Sequence, residues 1–383
     1  MDAESTKPAS DRESAPTDDL GIPRLPFVDG LRGIAALVVA VGHMIFVTPA
    51  FDAGFGASIR QATPGQIAAW PFRFGYEMVL LFLLVSGFAL AYAERVRHAR
   101  DLPPTSLMTF VKRRAWRIGP VYYVAVAWGL AVFLVPWGAM RRSGELQANF
   151  PITWSGTLAH MGFVHNFRMH DWGVQANGPL WSMAYEVQLY AAFPILFWAL
   201  SRARDWVAWL LVVTTFLIAS FLSAEAATLL RAFTLGVALA LAASFWDWLA
   251  TRLLVVAGAL LLAIGLLGLR HVDTSLLLHT CIWMGAFAAL ILAAVRQPES
   301  RSNPANLRAR RWLGARSYSL YALHYPVAYL CFVGLTNVGL SEKAVSIGTV
   351  LLGIPLALCV AEVSYRRIEV PSQQRARLAG RGA

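Results

Sequence analysis

The sequence predicts an all-α, polytopic membrane bundle of about ten transmembrane helices, with both termini in the cytosol. Three observations carry this. The 383 residues are 57% hydrophobic and only 14% charged, where a soluble domain carries roughly a quarter charged residues. The apolar residues gather into runs of about 17–22, long enough as helices to cross a hydrocarbon core of about 30 Å. Lys and Arg concentrate on alternate connections, the pattern that marks the cytosolic side. Lipid leaves the backbone no outside partner, so spans of this length form helices.

The elements follow in order. Residues 1–26 are rich in Ser, Pro, Asp and Glu and are expected to form a disordered cytosolic tail. They lack the basic start and apolar core of a signal peptide. Expected spans lie near 31–48, 77–93, 119–137, 180–200, 206–223, 226–243, 253–269, 274–295, 318–335 and 345–363. They make up a membrane domain over 27–371, followed by a basic cytosolic tail over 372–383. The connections read as cytosolic hold Arg95, Arg97, Arg100, Lys112, Arg113, Arg114 and Arg117, and later Arg296 to Arg316. The net charge of +11 therefore reports topology and contact with anionic lipid, and excludes a nucleic-acid binder. Two connections on the other side are long, 49–76 and 138–179, a length that usually goes with a structure or task of its own. Cys281, Cys331 and Cys359 fall in apolar runs without metal or disulfide spacing and read as packing residues.

An ionisable group inside a span is costly and points to function by default. Arg32 and His43 stand eleven residues apart in the first segment, about 16 Å along a helix and close to three full turns, so they share a face. Glu186 lies about six residues, or about 9 Å, into the segment that begins Gly178-Pro179-Leu180-Trp181-Ser182. Its depth matches that of His43, which suggests a carboxylate–imidazole pair in which His43 takes a proton from a hydroxyl. Ser182 and Tyr190 flank Glu186 at four-residue spacing on one face. Structural readings stand beside these: snorkelling of Arg32, a helix-bridging hydrogen bond for His43, and a Glu186 ion pair with an arginine such as Arg231.

The run Lys112-Arg113-Arg114-Ala115-Trp116-Arg117 suits an anionic donor, because guanidinium groups grip phosphates bidentately; its plainer reading is a topology signal. An acyl-coenzyme A is a cytosolic donor of that charge. Ser86-Gly87-Phe88 reads as small-residue helix packing, with Ser86 alternatively lining the path or accepting an acyl group. His324 reads as a donor-channel residue or a structural one. His160, His165 and His170 lack the spacing of a helical metal pair, and no metal is expected.

Together these motifs resemble the membrane-bound acyltransferase family 3, bacterial O-acyltransferases of surface polysaccharides and related acceptors, over about 27–371. The matching pieces are Phe27 to Gly33 with His43, Phe82 to Phe88 with its Ser86-Gly87-Phe88, and Arg113, Arg114, Arg117 and Pro120. They continue with Trp181-Ser182, Glu186 and Tyr190, then Ser317 to Tyr321 with His324 and Pro326, then Ser364-Tyr365 with Glu369 and Pro371. Ile118-Gly119 before Pro120 departs from the family pattern in having a small residue there. The resemblance implies ten membrane helices, acyl-CoA as co-substrate with no permanently bound cofactor, and an essential histidine in the first helix, here His43. Some members carry an added esterase-like domain, which the twelve residues after Pro371 do not supply. His43 and Glu186 are then the catalytic residues, and Arg32, Arg113, Arg114, Arg117 and His324 the donor-binding ones. Asp29, Ser86, Trp181, Ser182, Tyr190 and Tyr318 line the pocket. The expected reaction moves an acyl group, acetyl by preference, to a hydroxyl of a saccharide-type acceptor in the plasma membrane. A secreted small molecule such as a macrolide sugar, or a transporter of an acylated or glycan substrate, are the alternatives. Partners are acyl-CoA, the acceptor and membrane lipids, not nucleic acid.

Overall fold

The computed structural model describes residues 25–48, 64–134, 152–168, 177–202, 210, 213–215, 217, 224–241, 251–267, 276–295 and 304–378. All secondary structure among them is helical. The long helices are α1 (Pro26–Phe46), α3 (Gly75–Ala99), α4 (Leu107–Leu134), α6 (Leu180–Arg202), α7 (Ala224–Leu241), α8 (Thr251–Leu267), α9 (Leu276–Val295), α10 (Pro304–Asn337) and α11 (Glu342–Ser364). Shorter pieces are α2 (Pro64–Ala69), α5 (Trp154–Met161) and α12 (Val370–Leu378). Helices thus occupy nine of the ten expected segments; the tenth, 206–223, lies largely outside the described residues, as do 1–24, 49–63, 138–151, His170, Asp171 and 379–383. Among the described residues five helices are long and apolar enough to cross a membrane: Phe27–Phe46, Ile67–Ala99, Leu278–Val295, Arg308–Asn337 and Glu342–Leu378.

Two glycine crossings set the core. At the first, α1 meets α10: a methyl on Gly33 would stand 2.7 Å from the Gly314 nitrogen, and one on Gly314 would strike the Asp29 carbonyl. At the second, α3 meets α7, with Gly87 against the Phe233 backbone and Gly236 against that of Leu84. Small residues let helices in lipid approach closely, where no hydrophobic force between helices exists, so Ser86-Gly87-Phe88 does serve packing. Gly33→Ala is expected to push α1 off α10 and to cost about 1–3 kcal/mol, as overpacking does. A lowered thermal midpoint in detergent would show it, and an unchanged midpoint would mean that the crossing yields freely.

Proline shapes α10. Pro326 has no N–H to give the Ala322 carbonyl one turn back. The buried Asn177, just before α6, donates its Nδ2 to that carbonyl at 2.9 Å and to the Ala125 carbonyl of α4 at 3.3 Å. One amide thereby ties α4, α6 and α10 together beside His324. On the far side of the bundle, Glu77 of α3 and His279 of α9 are joined at 2.7 Å.

The long connection 138–179 has structure of its own among its described residues. Thr153 caps α5 by accepting from the Gly156 N–H at 3.0 Å, and α5 packs against the side of α4, with Tyr122 and Tyr123 donating to the His160 and Met161 carbonyls at 2.8 and 3.1 Å. Its outward stripe is Trp154, Leu158 and Met161, an apolar face like that of a helix lying against lipid. Within the segment expected as a basic tail, 372–383, α12 runs through Leu378, buries Ser372 and Ala376 and sets the Arg375 guanidinium 5.3 Å over the Trp116 ring.

Candidate active site

Arg32, Arg114, Arg117 and Arg316 mark one end of the bundle, called here the basic end; Tyr76, Trp181 and Glu225 mark the far end. Between them lies a narrow cleft, with about 390 Å3 of empty space that includes its opening to solvent, lined by Arg32, Val79, Phe82, Leu83, Ser182, Met183, Glu186, Ser317, Tyr318 and Tyr321.

Glu186 is the hub of its wall. Its Oε1 accepts from Tyr190 at 2.6 Å and from Ser86 at 3.0 Å, and stands 3.8 Å from Arg32 Nη2. Tyr190 also donates to Ser86 at 3.2 Å. The arginine that pairs with Glu186 is therefore Arg32, from the same face of α1 as His43. Behind them the Arg114 guanidinium lies 5.0 Å over the Tyr190 ring. Arg117 is within electrostatic reach of Glu186, Asp29 and Glu369. Buried Glu369 is brought inward by a π-helical turn at Tyr365–Glu369 and accepts from Ser319 at 2.6 Å. The Nε atoms of Arg32 and Arg114 are buried without a hydrogen-bond partner among the described residues, which is uncommon for buried donors and suits an incoming acceptor group.

His43 does not meet Glu186. Its Nδ1 stands 3.0 Å from Nε2 of His324, and the rings lie 5.1 Å apart. The proton positions follow from chemistry. His324 Nδ1 faces the carbonyls of Leu320 and Tyr321 at 3.0 and 2.9 Å. Carbonyls only accept, so Nδ1 carries the hydrogen. A neutral His324, the form favoured where charge is costly, then offers a lone pair at Nε2. His43 must donate from Nδ1, which leaves His43 Nε2 with a free lone pair, the form a general base requires. The His324 Nε2 lone pair thus faces the Nδ1–H of His43; His324 is wholly buried and is not among the residues lining the cavity. Tyr321 links dyad and cavity: its ring centroid lies 6.0 Å from that of His324, and its hydroxyl is 2.6 Å from Ser182 Oγ.

The expected site residues therefore divide. Arg32, Glu186, Ser182 and Tyr318 line the cavity; Ser86 and Tyr190 stand behind it, bonded to Glu186. Asp29 is exposed at the basic end of α1, where its backbone packs on Gly314, so it does not line the cavity. Trp181 points along the neighbouring face of α6, against Tyr76 and Tyr185. Arg114 and Arg117 join the Arg32 cluster electrostatically; among the described residues no hydrogen bond or ion pair brings Arg113 into it. Asn177 was missed; Tyr321 and Phe82 entered only within the family motifs, not as site residues, and so did not point to the α3 face of Val79, Phe82 and Leu83. The last has an i, i+3, i+4 spacing that a search for a cavity wall, and not only for polar residues, would have found.

Set beside known sequences, residues 25–366 match the acyltransferase domain family, acyltransferase 3. The chain belongs to that family. It is a multi-pass membrane protein by its membrane-helix candidates and its family. It is 29% identical to the acyltransferase MdmB of Streptomyces mycarofaciens over 174 residues, covering 45% of this chain and 39% of that protein. It is 24% identical to the peptidoglycan O-acetyltransferase OatA of Listeria monocytogenes over an alignment of 383 residues, covering 91% of this chain and 55% of that protein. The chain thus spans about half the length, or less, of these curated relatives. No solved structure matches it.

Proposed function

We propose that this protein is an integral membrane O-acyltransferase that moves an acyl group, acetyl by preference, from cytosolic acyl-CoA to a hydroxyl of a saccharide acceptor. The observation that carries the reading is the His43–His324 pair, whose hydrogen-bond chain leaves a basic nitrogen on His43. In this proposal the ten helices span the plasma membrane with both termini and the basic end in the cytosol. The guanidinium groups of Arg32, Arg114 and Arg117 hold the donor's phosphates, and the thioester reaches up the cavity. His43 Nε2 takes the proton of the acceptor hydroxyl as its oxygen attacks the thioester carbonyl. The C–S bond breaks, and the coenzyme A thiolate leaves with the proton returned from His43. While His43 is charged, His324 accepts from its Nδ1–H and passes the polarisation to two backbone carbonyls. The relation to a peptidoglycan O-acetyltransferase supports an acetyl group and a saccharide.

The test compares envelope glycans, lipids and secreted metabolites by mass spectrometry in cells carrying the wild type or His43→Ala. Loss of an acyl-sized mass from one species in the mutant names acyl group and acceptor together. No change, with the mutant protein made and inserted, would count against catalysis by His43. His324→Ala is expected to lower kcat about 10²-fold through a misplaced base with the donor KM unchanged. His324→Gln, whose amide oxygen still accepts from Nδ1, should recover much of the rate, whereas equal loss in both variants would count against a positioning role.

A further inference from the structure

Just outside the cavity at the far end, three aromatic side chains meet a carboxylate. Tyr76, in the first turn of α3, lies nearly parallel to Trp181 of α6, with ring centroids 6.2 Å apart and planes inclined by 13°. Tyr185, one turn along α6, meets Trp181 edge-on at 6.0 Å. All three rings are partly exposed. Glu225, half-buried at the start of α7, is within electrostatic reach of both Tyr76 and Tyr185. Thr228 lies beside the Tyr76 hydroxyl and Asn166 beside that of Tyr185. Asn166 is locked to Gln188 by reciprocal amide bonds of 3.0 and 2.8 Å. Tyr76 is three residues from Val79, and Trp181 adjoins Ser182, both cavity-lining, so the group lies within a helical turn of the cavity wall.

Aromatic residues at a membrane surface commonly form a belt facing lipid. These rings instead face one another and Glu225 across the junction of α3, α6 and α7. The combination of flat apolar rings with a carboxylate and fixed hydroxyls and amides at their edge has the chemistry of a sugar site. The rings cover the C–H face of a pyranose, while the fringe bonds its hydroxyls and leaves few of its polar groups unpaired.

We infer that Tyr76, Trp181, Tyr185 and Glu225 form the acceptor subsite and that it takes a neutral saccharide ring. This rests on the saccharide-acceptor reading above and narrows it: a carboxylate in the rim repels uronic acids and other anionic sugars.

Binding tests the subsite apart from catalysis. The full-length protein in lipid nanodiscs is titrated calorimetrically with N-acetylchitotetraose and, separately, with a tetragalacturonate. Wild type and His43→Ala should bind the neutral oligomer equally and the anionic one at least tenfold more weakly. Trp181→Ala and Tyr185→Ala should weaken the neutral oligomer at least tenfold, and Trp181→Phe less than threefold. Glu225→Gln should narrow the gap between the two oligomers. Variants are compared at wild-type thermal midpoints, and Tyr185→Ala and Glu225→Gln carry the test should Trp181→Ala misfold. No binding by the wild type, equal binding by Tyr185→Ala, or an unchanged preference in Glu225→Gln would overturn the subsite. Binding as expected, without any His43-dependent acyl transfer, would leave the subsite standing and overturn the transferase reading instead.

Discussion

Replacing His43 by alanine is expected to lower acyl transfer about 10²–10⁴-fold, the usual contribution of a general base, with little effect on folding. His43 is only partly buried; its polar contacts are the one with His324 at 3.0 Å and one with the Val39 backbone a turn back on α1. The methyl group removes the acceptor nitrogen and leaves His324 bonded to the α10 backbone. Donor KM should hold, because Arg32 and its cluster lie about three turns of α1, roughly 16 Å, from His43. Steady-state rates in membranes, with protein level and thermal midpoint measured alongside, check this. A fall in rate matched by a fall in folded protein would assign His43 a structural task.

Glu186→Ala is expected to be the most disruptive single change to stability near the site. It strands Arg32, which is 9% exposed, and leaves the Tyr190 hydroxyl without its closest acceptor. Removing one partner of a buried pair typically costs about 3–5 kcal/mol. Glu186→Gln keeps the acceptor oxygen for Ser86 and Tyr190 and should cost less. Pairing it with Arg32→Gln should recover part of that loss, because the stranded charge goes too. The double-mutant cycle reads the coupling directly, and strict additivity would show that the 3.8 Å pair contributes nothing.

Much of the fold was legible because lipid imposes a coarse code: a run near twenty apolar residues is a helix, whatever its neighbours. Arg32 and Glu186 were legible for the same reason, since an ion inside such a run stands out. Their mutual pairing was not, because the offset and rotation of one helix against another are not readable from sequence. The expected match in depth between His43 and Glu186 fails: Glu186 pairs with Arg32, about 16 Å along α1 from His43, and His43 instead meets His324 of α10, 281 residues away in sequence. The late family motif singles out His324 but not its partner. Helix α5 escaped because eight residues are too short to read as a span, and its apolar stripe reads as scattered aromatics in a loop. Helix α10 begins fourteen residues before its expected span because Arg308 to Arg316 continue the helix out of the apolar stretch, with Gly314 kept helical by its contact with Asp29.

The most direct test of the proposal is thiol release from acyl-CoA. Inside-out membrane vesicles carrying the protein are given [14C]acetyl-CoA on the exposed face and a neutral oligosaccharide in the lumen. Free coenzyme A and labelled saccharide are then counted. The account predicts that both appear in equal amounts with the wild type and that both fall together in His43→Ala. Release and labelling that persist at the wild-type rate in His43→Ala, or saccharide movement across the membrane without thioester consumption, would contradict it.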